Sequence, residues 1–367
     1  MQLEWITTQP TPYNEFLFGA LAKSGLRLNV RFMAPAIASH PWRSSMRIGF
    51  DSCNSKKYCG VDLALLRLLC RRDVLFVVGG WSCITRFLLL TSAAALQRPF
   101  VIWTDTPNVL KRRNPVKAAL RSAWVKWVFK NAAFVMGTGQ PALNALTQMG
   151  CAERKLVNLP YFIDTDYFRP AGNRQSTREV VLVSSGRLLN SLKGCDLALT
   201  ALAMIREVHP KLYSLIRYRI AGEGPDRAAL EALCITLHVA DRVEFVGWLE
   251  PSDLASFYAS GDVLIHSALW DPYANAVTEA MSSGLAVLGS DATGAVLDRI
   301  VHGLNGLIHR AGDVTQLAEQ LALIVSRRDV RMSIGTHARE TALLWTVDVG
   351  VSIVNEVVVK VTTEQGA

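Results

Sequence analysis

Short apolar runs rich in branched and aromatic side chains alternate along this chain with longer stretches in which apolar residues recur every three or four positions. The first pattern predicts strands buried on both faces and the second predicts helices. Their alternation predicts parallel sheets wrapped by helices, an α/β class. The first half offers the runs LEWIT (3–7), LNVRFM (28–33), VLFVVGG (74–80), FVIWTD (100–105) and AFVMGTG (133–139). A second series restarts at VVLVSS (180–185) and continues through YRIAG (218–222), VEFVG (243–247), VLIHS (263–267), AVLGSD (286–291) and GLIHR (306–310). Between the halves, residues 160–178 are polar with prolines in their first part, and read as a linker. The expected organisation is a doubly wound domain over 1–162, a linker over 163–179, a second doubly wound domain over 180–345 facing the first across a central cleft, and a terminal segment over 346–367. That last segment is periodic enough for a helix, although its many valines are poor helix formers.

Composition narrows the class. The 367 residues are 50% hydrophobic and 19% charged, enough to build two buried cores. Seven cysteines at 53, 59, 70, 83, 151, 195 and 234 form no metal-binding spacing, and reduced thiols of a cytoplasmic protein account for them. The N-terminus lacks a basic region followed by an apolar run, so no signal peptide is expected. The longest apolar stretch, 74–90, is interrupted by Gly79, Gly80 and Arg86, and no membrane span is expected. A net charge of +8 beside high apolar content fits an enzyme resting on an anionic membrane surface, and no nucleic-acid-binding module is recognisable.

In doubly wound sheets, ligands gather at the loops beyond the carboxyl ends of the strands. The first such loop of the second half, SSGRLLNSLKG, carries Arg187 and Lys193 between Gly186 and Gly194. Two cations at a helix mouth suit a diphosphate, although a pair of solvated surface cations has the same sequence. The next loop carries Gly222 and Gly224, but Arg227 stands where a dinucleotide motif has its third glycine. It reads instead as a tight turn that lets the backbone approach a ligand. The loop after VLIHS, DPYANAVTE (271–279), places Asp271 in a loop and Glu279 in the following helix. With helical turns between them they stand roughly 12 Å apart, about the distance from a sugar ring to the ribose across a nucleotide diphosphate. Asn275 beside them offers an amide donor and acceptor, or else caps that helix.

In that order, GRLLNSLKG, IAGEGPDRAAL, residues 243–291 and GLNGLI resemble the second domain of the retaining family 4 glycosyltransferases of GT-B fold. The resemblance covers about 180–345, and GTGQPALNALTQMG followed by LPYFIDTDYF is similar to that family's passage into its linker. It implies two Rossmann-like domains, acceptor-binding then nucleotide-sugar-binding, and a last helix returning to the first. Arg187 and Lys193 would hold the donor diphosphate and stabilise the leaving group, so Lys193 would matter to turnover far more than to folding. Glu279 would bind the ribose hydroxyls and Asp271, in place of the family's first glutamate, the donor sugar. Gly186, Gly222, Gly224, Tyr273, Ala274, Asn275 and Ala276 would complete the donor site, with Trp248 and Leu249 near the base. UDP is the expected base ahead of GDP. No metal or other cofactor is expected, and Asp164-Thr165-Asp166 is discounted as a metal motif.

The acceptor side is expected in the loops of the first half, at Pro12, Tyr13, Asn14, Gly80 and Trp81. Asp105 is the candidate for orienting or deprotonating the acceptor, against the plainer role of capping a helix or turn. Retention without a protein nucleophile implies front-face attack assisted by the departing phosphate. Residues 109–132 carry Lys111, Arg112, Arg113, Lys117, Arg121, Lys126 and Lys130 with no acid, interleaved with Trp124, Trp127 and Phe129. They read as a membrane-facing helix, or else as an amphipathic helix packing its tryptophans on the sheet. With Arg43, Arg47, Lys56 and Lys57 they suggest docking of a polyprenyl-diphosphate saccharide at the inner membrane face, with no protein partner evident. Two alternatives stand beside a retaining sugar transfer: another GT-B chemistry such as epimerisation or phosphorolysis, and a non-catalytic sugar-nucleotide or membrane-binding protein.

Overall fold

The computed structural model describes residues 1–34, 49–108, 114–172 and 179–366. Lys111, Arg112 and Arg113, with Arg43 and Arg47, lie outside the described residues. Two compact units form: Met1–Phe162 with Val347–Ala367, and Ile163–Thr346. The first contains β1 (Gln2–Thr7), β2 (Leu28–Phe32), β3 (Asp51–Asn54), β4 (Val74–Gly79), β5 (Phe100–Thr104), β6 (Phe134–Gly137) and β7 (Leu156–Asn158). They build one parallel sheet in the order β3-β2-β1-β4-β5-β6-β7. The second contains β8 (Val180–Ser185), β9 (Ile216–Ala221), β10 (Val243–Gly247), β11 (Val263–His266), β12 (Ala286–Ser290) and β13 (Leu307–His309). Their order is β10-β9-β8-β11-β12-β13, again parallel. In each unit the order reverses beside the first strand, the switch point at which doubly wound sheets place ligands. Central strands such as β4 and β12 are buried almost throughout, which is why they read as unbroken apolar runs. The weakly apolar β3 and β7 gave no such signal and are additional strands.

The segment 163–172 is docked onto the second unit. The Arg339 guanidinium donates to the carbonyls of Thr165 and Phe168, both at 2.9 Å, and the Ser282 hydroxyl donates to Phe168 O at 2.6 Å. Asp164 accepts the amides of Asp166 and Tyr167, so its carboxylate closes a turn.

Val347–Gly366 is helical and belongs to the first unit. By length and composition alone, the stretch Arg328–Thr363 is apolar enough to cross a membrane, which the sequence pattern had not singled out. The helix Arg328–Leu343 nevertheless ends before the next begins at Val347, and Gly350, Val354, Val357 and Val361 form a buried stripe at three- and four-residue spacing. That stripe explains how a valine-rich segment stays helical: burial outweighs weak propensity. A Cβ on Gly350 would lie 2.5 Å from the Phe162 ring. Gly350→Val is therefore expected to destabilise the protein by about 1–3 kcal/mol, read as a lower denaturation midpoint, whereas Val359→Ala on the exposed face should leave it nearly unchanged.

Candidate functional site

In the second unit, three loops beyond the strand ends are tied together at Asp271. Its amide donates to Ala292 O and its carbonyl accepts from Gly294 N, both at 3.0 Å, joining the loops after β11 and β12. Its carboxylate forms an ion pair with Lys193 from the loop after β8, stands 3.3 Å from His266 Nε2, and accepts the Tyr273 amide at 3.3 Å. Ser267 donates to Gly194 O at 2.7 Å, and the amides of Leu269 and Trp270 donate to Leu192 O. Side chains at Gly194 or Gly294 would strike the carbonyls of Ser267 and Pro272, at 2.4 and 2.1 Å. Asp271 is almost fully buried, a cost that raises a carboxyl pKa, yet His266 and Lys193 together hold it well below the usual carboxylate range.

This geometry revises the expectation for Lys193. It is not simply a cation awaiting phosphate, because its ammonium neutralises a buried carboxylate; removing it should cost folding as well as activity. Arg187 is exposed at the same loop beside Gly186, and a narrow cavity of about 20 Å³ is lined by both, with Lys193 and His266.

Glu279 lies on the helix Asn275–Ser282 and accepts the Tyr258 hydroxyl at 2.9 Å; that hydroxyl also bonds Ser185 at the end of β8. Burial pushes the Glu279 carboxyl up to about 7. Residues 271–274 are not helical, so only the second half of the Asp271–Glu279 span follows helical rise. Asn275 is not the cap: Ala274, left-handed at φ +72°, occupies that place, and Asn275 begins the helix with a buried Oδ1 that has no partner. Ala276 and Glu279 remain partly accessible on that helix. Tyr273 turns inward, and its hydroxyl accepts from Arg299, which stacks on Trp345 at 3.6 Å. Gly222 and Gly224 pack closely against the protein's own backbone, since added Cβ atoms would lie 1.9 Å from Gly186 O and 2.2 Å from Leu188 O. Trp248 and Leu249 follow β10 partly buried, and the Trp248 indole N–H is buried without a partner.

In the first unit a cavity of about 1180 Å³ is lined by Tyr13, Asn14, Gly80, Trp81 and Asp105, whereas Pro12, the first residue of the helix Pro12–Lys23, stands outside the lining. Asp105 Oδ1 accepts the Tyr161 hydroxyl at 2.6 Å and the Thr138 hydroxyl at 3.3 Å. The basic helix is Pro115–Asn131, capped by the Asn114 side chain, and its aromatics do not act together. Phe129 is in the core, and Trp124 donates to Thr91 Oγ1 and leans on Phe87. Arg121 lines the cavity with its guanidinium 5.7 Å over Trp81. Lys117, Lys126 and Trp127 are exposed, with Val116 and Leu120 each at 68% exposure.

His266, Tyr258 and Ser185 carried no signal in the sequence. Each sits in a strand or helix pattern whose periodicity signals only burial, and nothing in the spacing marks them as partners of Asp271 or Glu279.

Residues 168–341 match the model of the family "Glycosyl transferases group 1". Among curated relatives, sulfoquinovosyl transferase SQD2 of Arabidopsis thaliana is 28% identical over 48% of this chain and 34% of its own length. N-acetyl-alpha-D-glucosaminyl L-malate synthase of Bacillus anthracis is 25% identical over 46% of this chain and 42% of its own length. The chain thus spans less than half the length of either relative. Among solved structures, Anabaena Alr3699/HepE in complex with UDP superposes with a TM-score of 0.78 at 16% identity, covering 98% of this chain and 100% of that one. Sucrose-phosphate synthase from Thermosynechococcus elongatus superposes at 0.77 with 17% identity, covering 99% and 100%. At such identities the likeness establishes the two-unit α/β fold known as GT-B.

Between pH 4.5 and about 7, the folded protein holds a proton on Glu279 that the unfolded chain has released, so its stability falls as pH rises through that window. Thermal melts of Glu279→Gln should accordingly rise relative to the native chain between pH 5 and pH 8; a constant difference would contradict the raised carboxyl. Residues 168–341, which match the glycosyl transferases group 1 model, lie wholly within the second unit.

Proposed function

We propose that this protein transfers a sugar from a nucleoside-diphosphate sugar, UDP-linked ahead of GDP-linked, to a saccharide or polyprenyl-diphosphate-linked saccharide. The observation that carries the reading is the convergence of Arg187, Lys193, Asp271 and Glu279 on the loop side of a group 1 domain. Arg187 and Lys193 meet the diphosphate and neutralise the charge that develops on the leaving group, without need of a metal. Glu279, oriented by Tyr258, accepts the ribose hydroxyls, and Asp271 holds Lys193 in register while contacting the sugar. The HepE structures with UDP and with UDP-glucose support a uridine donor by analogy.

The configuration is retained, with front-face attack: the departing phosphate takes the acceptor proton, and the protein supplies positioning and electrostatic stabilisation. The first-unit cavity receives the acceptor, with Asp105 and Tyr161 orienting its hydroxyl. The protein works from the cytoplasm on the inner membrane face, held there by Lys117, Lys126 and Lys130 beside exposed Val116, Leu120 and Trp127.

Two measurements test this. Arg187→Ala should lower donor turnover by about 10²–10³-fold while leaving the melting temperature unchanged, because Arg187 is exposed; loss of fold without selective loss of turnover would contradict the assignment. Binding to vesicles containing anionic lipid should be abolished by high salt, and indifference to anionic lipid would remove the membrane contact.

A further inference from the structure

The first-unit cavity contains a buried charge with no part in the steps above. Arg86, in the first turn of the helix Ile84–Ala95, lines it and is only 2% exposed. A guanidinium keeps its charge, so withdrawing it from water is costly unless an anion accompanies it. Its partners here are neutral: Nη2 donates to Thr8 Oγ1 at 2.9 Å and Nη1 to Ser82 Oγ at 3.4 Å. The buried Nε has no acceptor, and among the described residues no carboxylate pairs with it. Burial accordingly pulls its pKa below the ordinary arginine value.

Other groups on the same wall are unsatisfied too. Among the described residues the Thr11 hydroxyl, a donor, is buried without a partner, as are the side-chain oxygens of Gln9 and Asn14, which suit a sugar hydroxyl rather than an anion, and all three residues line the cavity. Arg121 brings a second guanidinium to the lining, while the Asp105 carboxylate accepts from Tyr161 and Thr138. A buried arginine retained against its desolvation cost, beside hydroxyl donors and a second cation, matches a tetrahedral, multiply charged oxyanion better than a single planar carboxylate.

We propose that Arg86 anchors a phosphoryl group of the acceptor in the first-unit cavity, its Nε and one Nη forming a fork toward the phosphoryl oxygens while Thr8 and Ser82 hold the other edge. The inference rests on the reading that this unit receives the acceptor, and it assigns that acceptor a phosphate or diphosphate. The cavity volume leaves room for a saccharide beside the anion.

The test is calorimetric titration of the full chain with inorganic pyrophosphate and, separately, with glucuronate, in saturating UDP so that the cations of the second unit are occupied. UDP is titrated first; its failure to bind counts against the proposed donor and leaves the Arg86 comparison, then run without UDP, intact. Pyrophosphate should bind, and Arg86→Met should weaken it by at least about tenfold. The same variant should melt at or above the temperature of the native chain, because an unpaired buried charge has been removed. Arg86→Lys keeps the charge but loses the fork, and should bind between the two. Equal pyrophosphate affinity in Arg86→Met overturns the proposal, as does a lowered melting temperature with binding preserved, the signature of a structural arginine. Glucuronate binding as tightly as pyrophosphate and with the same dependence on Arg86 also overturns the phosphoryl assignment. Should Arg86→Met fail to fold, unchanged affinity in Arg86→Lys decides against it.

Discussion

A buried carboxylate can remain charged only if cations and hydrogen-bond donors surround it, and that requirement organises the loop side of the second unit. Asp271 meets it with Lys193 from one loop, His266 from the end of β11 and the Tyr273 amide from its own turn, while its backbone reaches Ala292 and Gly294 in a third loop. The cluster therefore fixes where the Lys193 ammonium stands, ahead of the diphosphate proposed to meet it. An electrostatic site that is already oriented avoids reorganisation as charge develops, the main route by which such sites lower barriers.

A second carboxylate is treated differently in the same unit. Among the described residues Glu279 receives one hydroxyl, from Tyr258, and no cation, and burial drives its pKa upward instead of downward. Two acids eight residues apart in sequence are thus separated in proton affinity by their surroundings. One is kept ionised beside a cation; the other is driven toward its protonated form. Glycines make the close loop contacts possible, since at positions 194, 222, 224 and 294 a single methyl group would collide with a neighbouring carbonyl.

The fold was legible because buried parallel strands are uninterrupted apolar runs, and eleven such runs correspond to strands. The strands β3 and β7 were not, because Asp51–Asn54 and Leu156–Asn158 are short and only partly buried. Charged candidates such as Arg187, Lys193, Asp271 and Glu279 stood out by residue type and by their place in or just after the loops beyond the strands. Partners brought in by tertiary packing did not. Tyr258 sits in an ordinary helical pattern, His266 ends an apolar strand, and Arg86 reads as an interruption of an apolar stretch, until folding sets each beside a charge or a cavity. The aromatic interleaving of the basic helix was misleading for a related reason: Trp124, Trp127 and Phe129 share a short segment but face different surroundings.

On the proposed function, Asp271 and Lys193 act as one unit in presenting a cation to the donor diphosphate. A double-mutant cycle of Lys193→Ala and Asp271→Asn, read by UDP affinity in folded protein, tests it directly. Each single change is expected to weaken UDP binding and the double change to cost no more than the worse single one, a coupling of about 1–3 kcal/mol. Strict additivity of the two losses would mean that the carboxylate and the ammonium serve the ligand independently, and would contradict it.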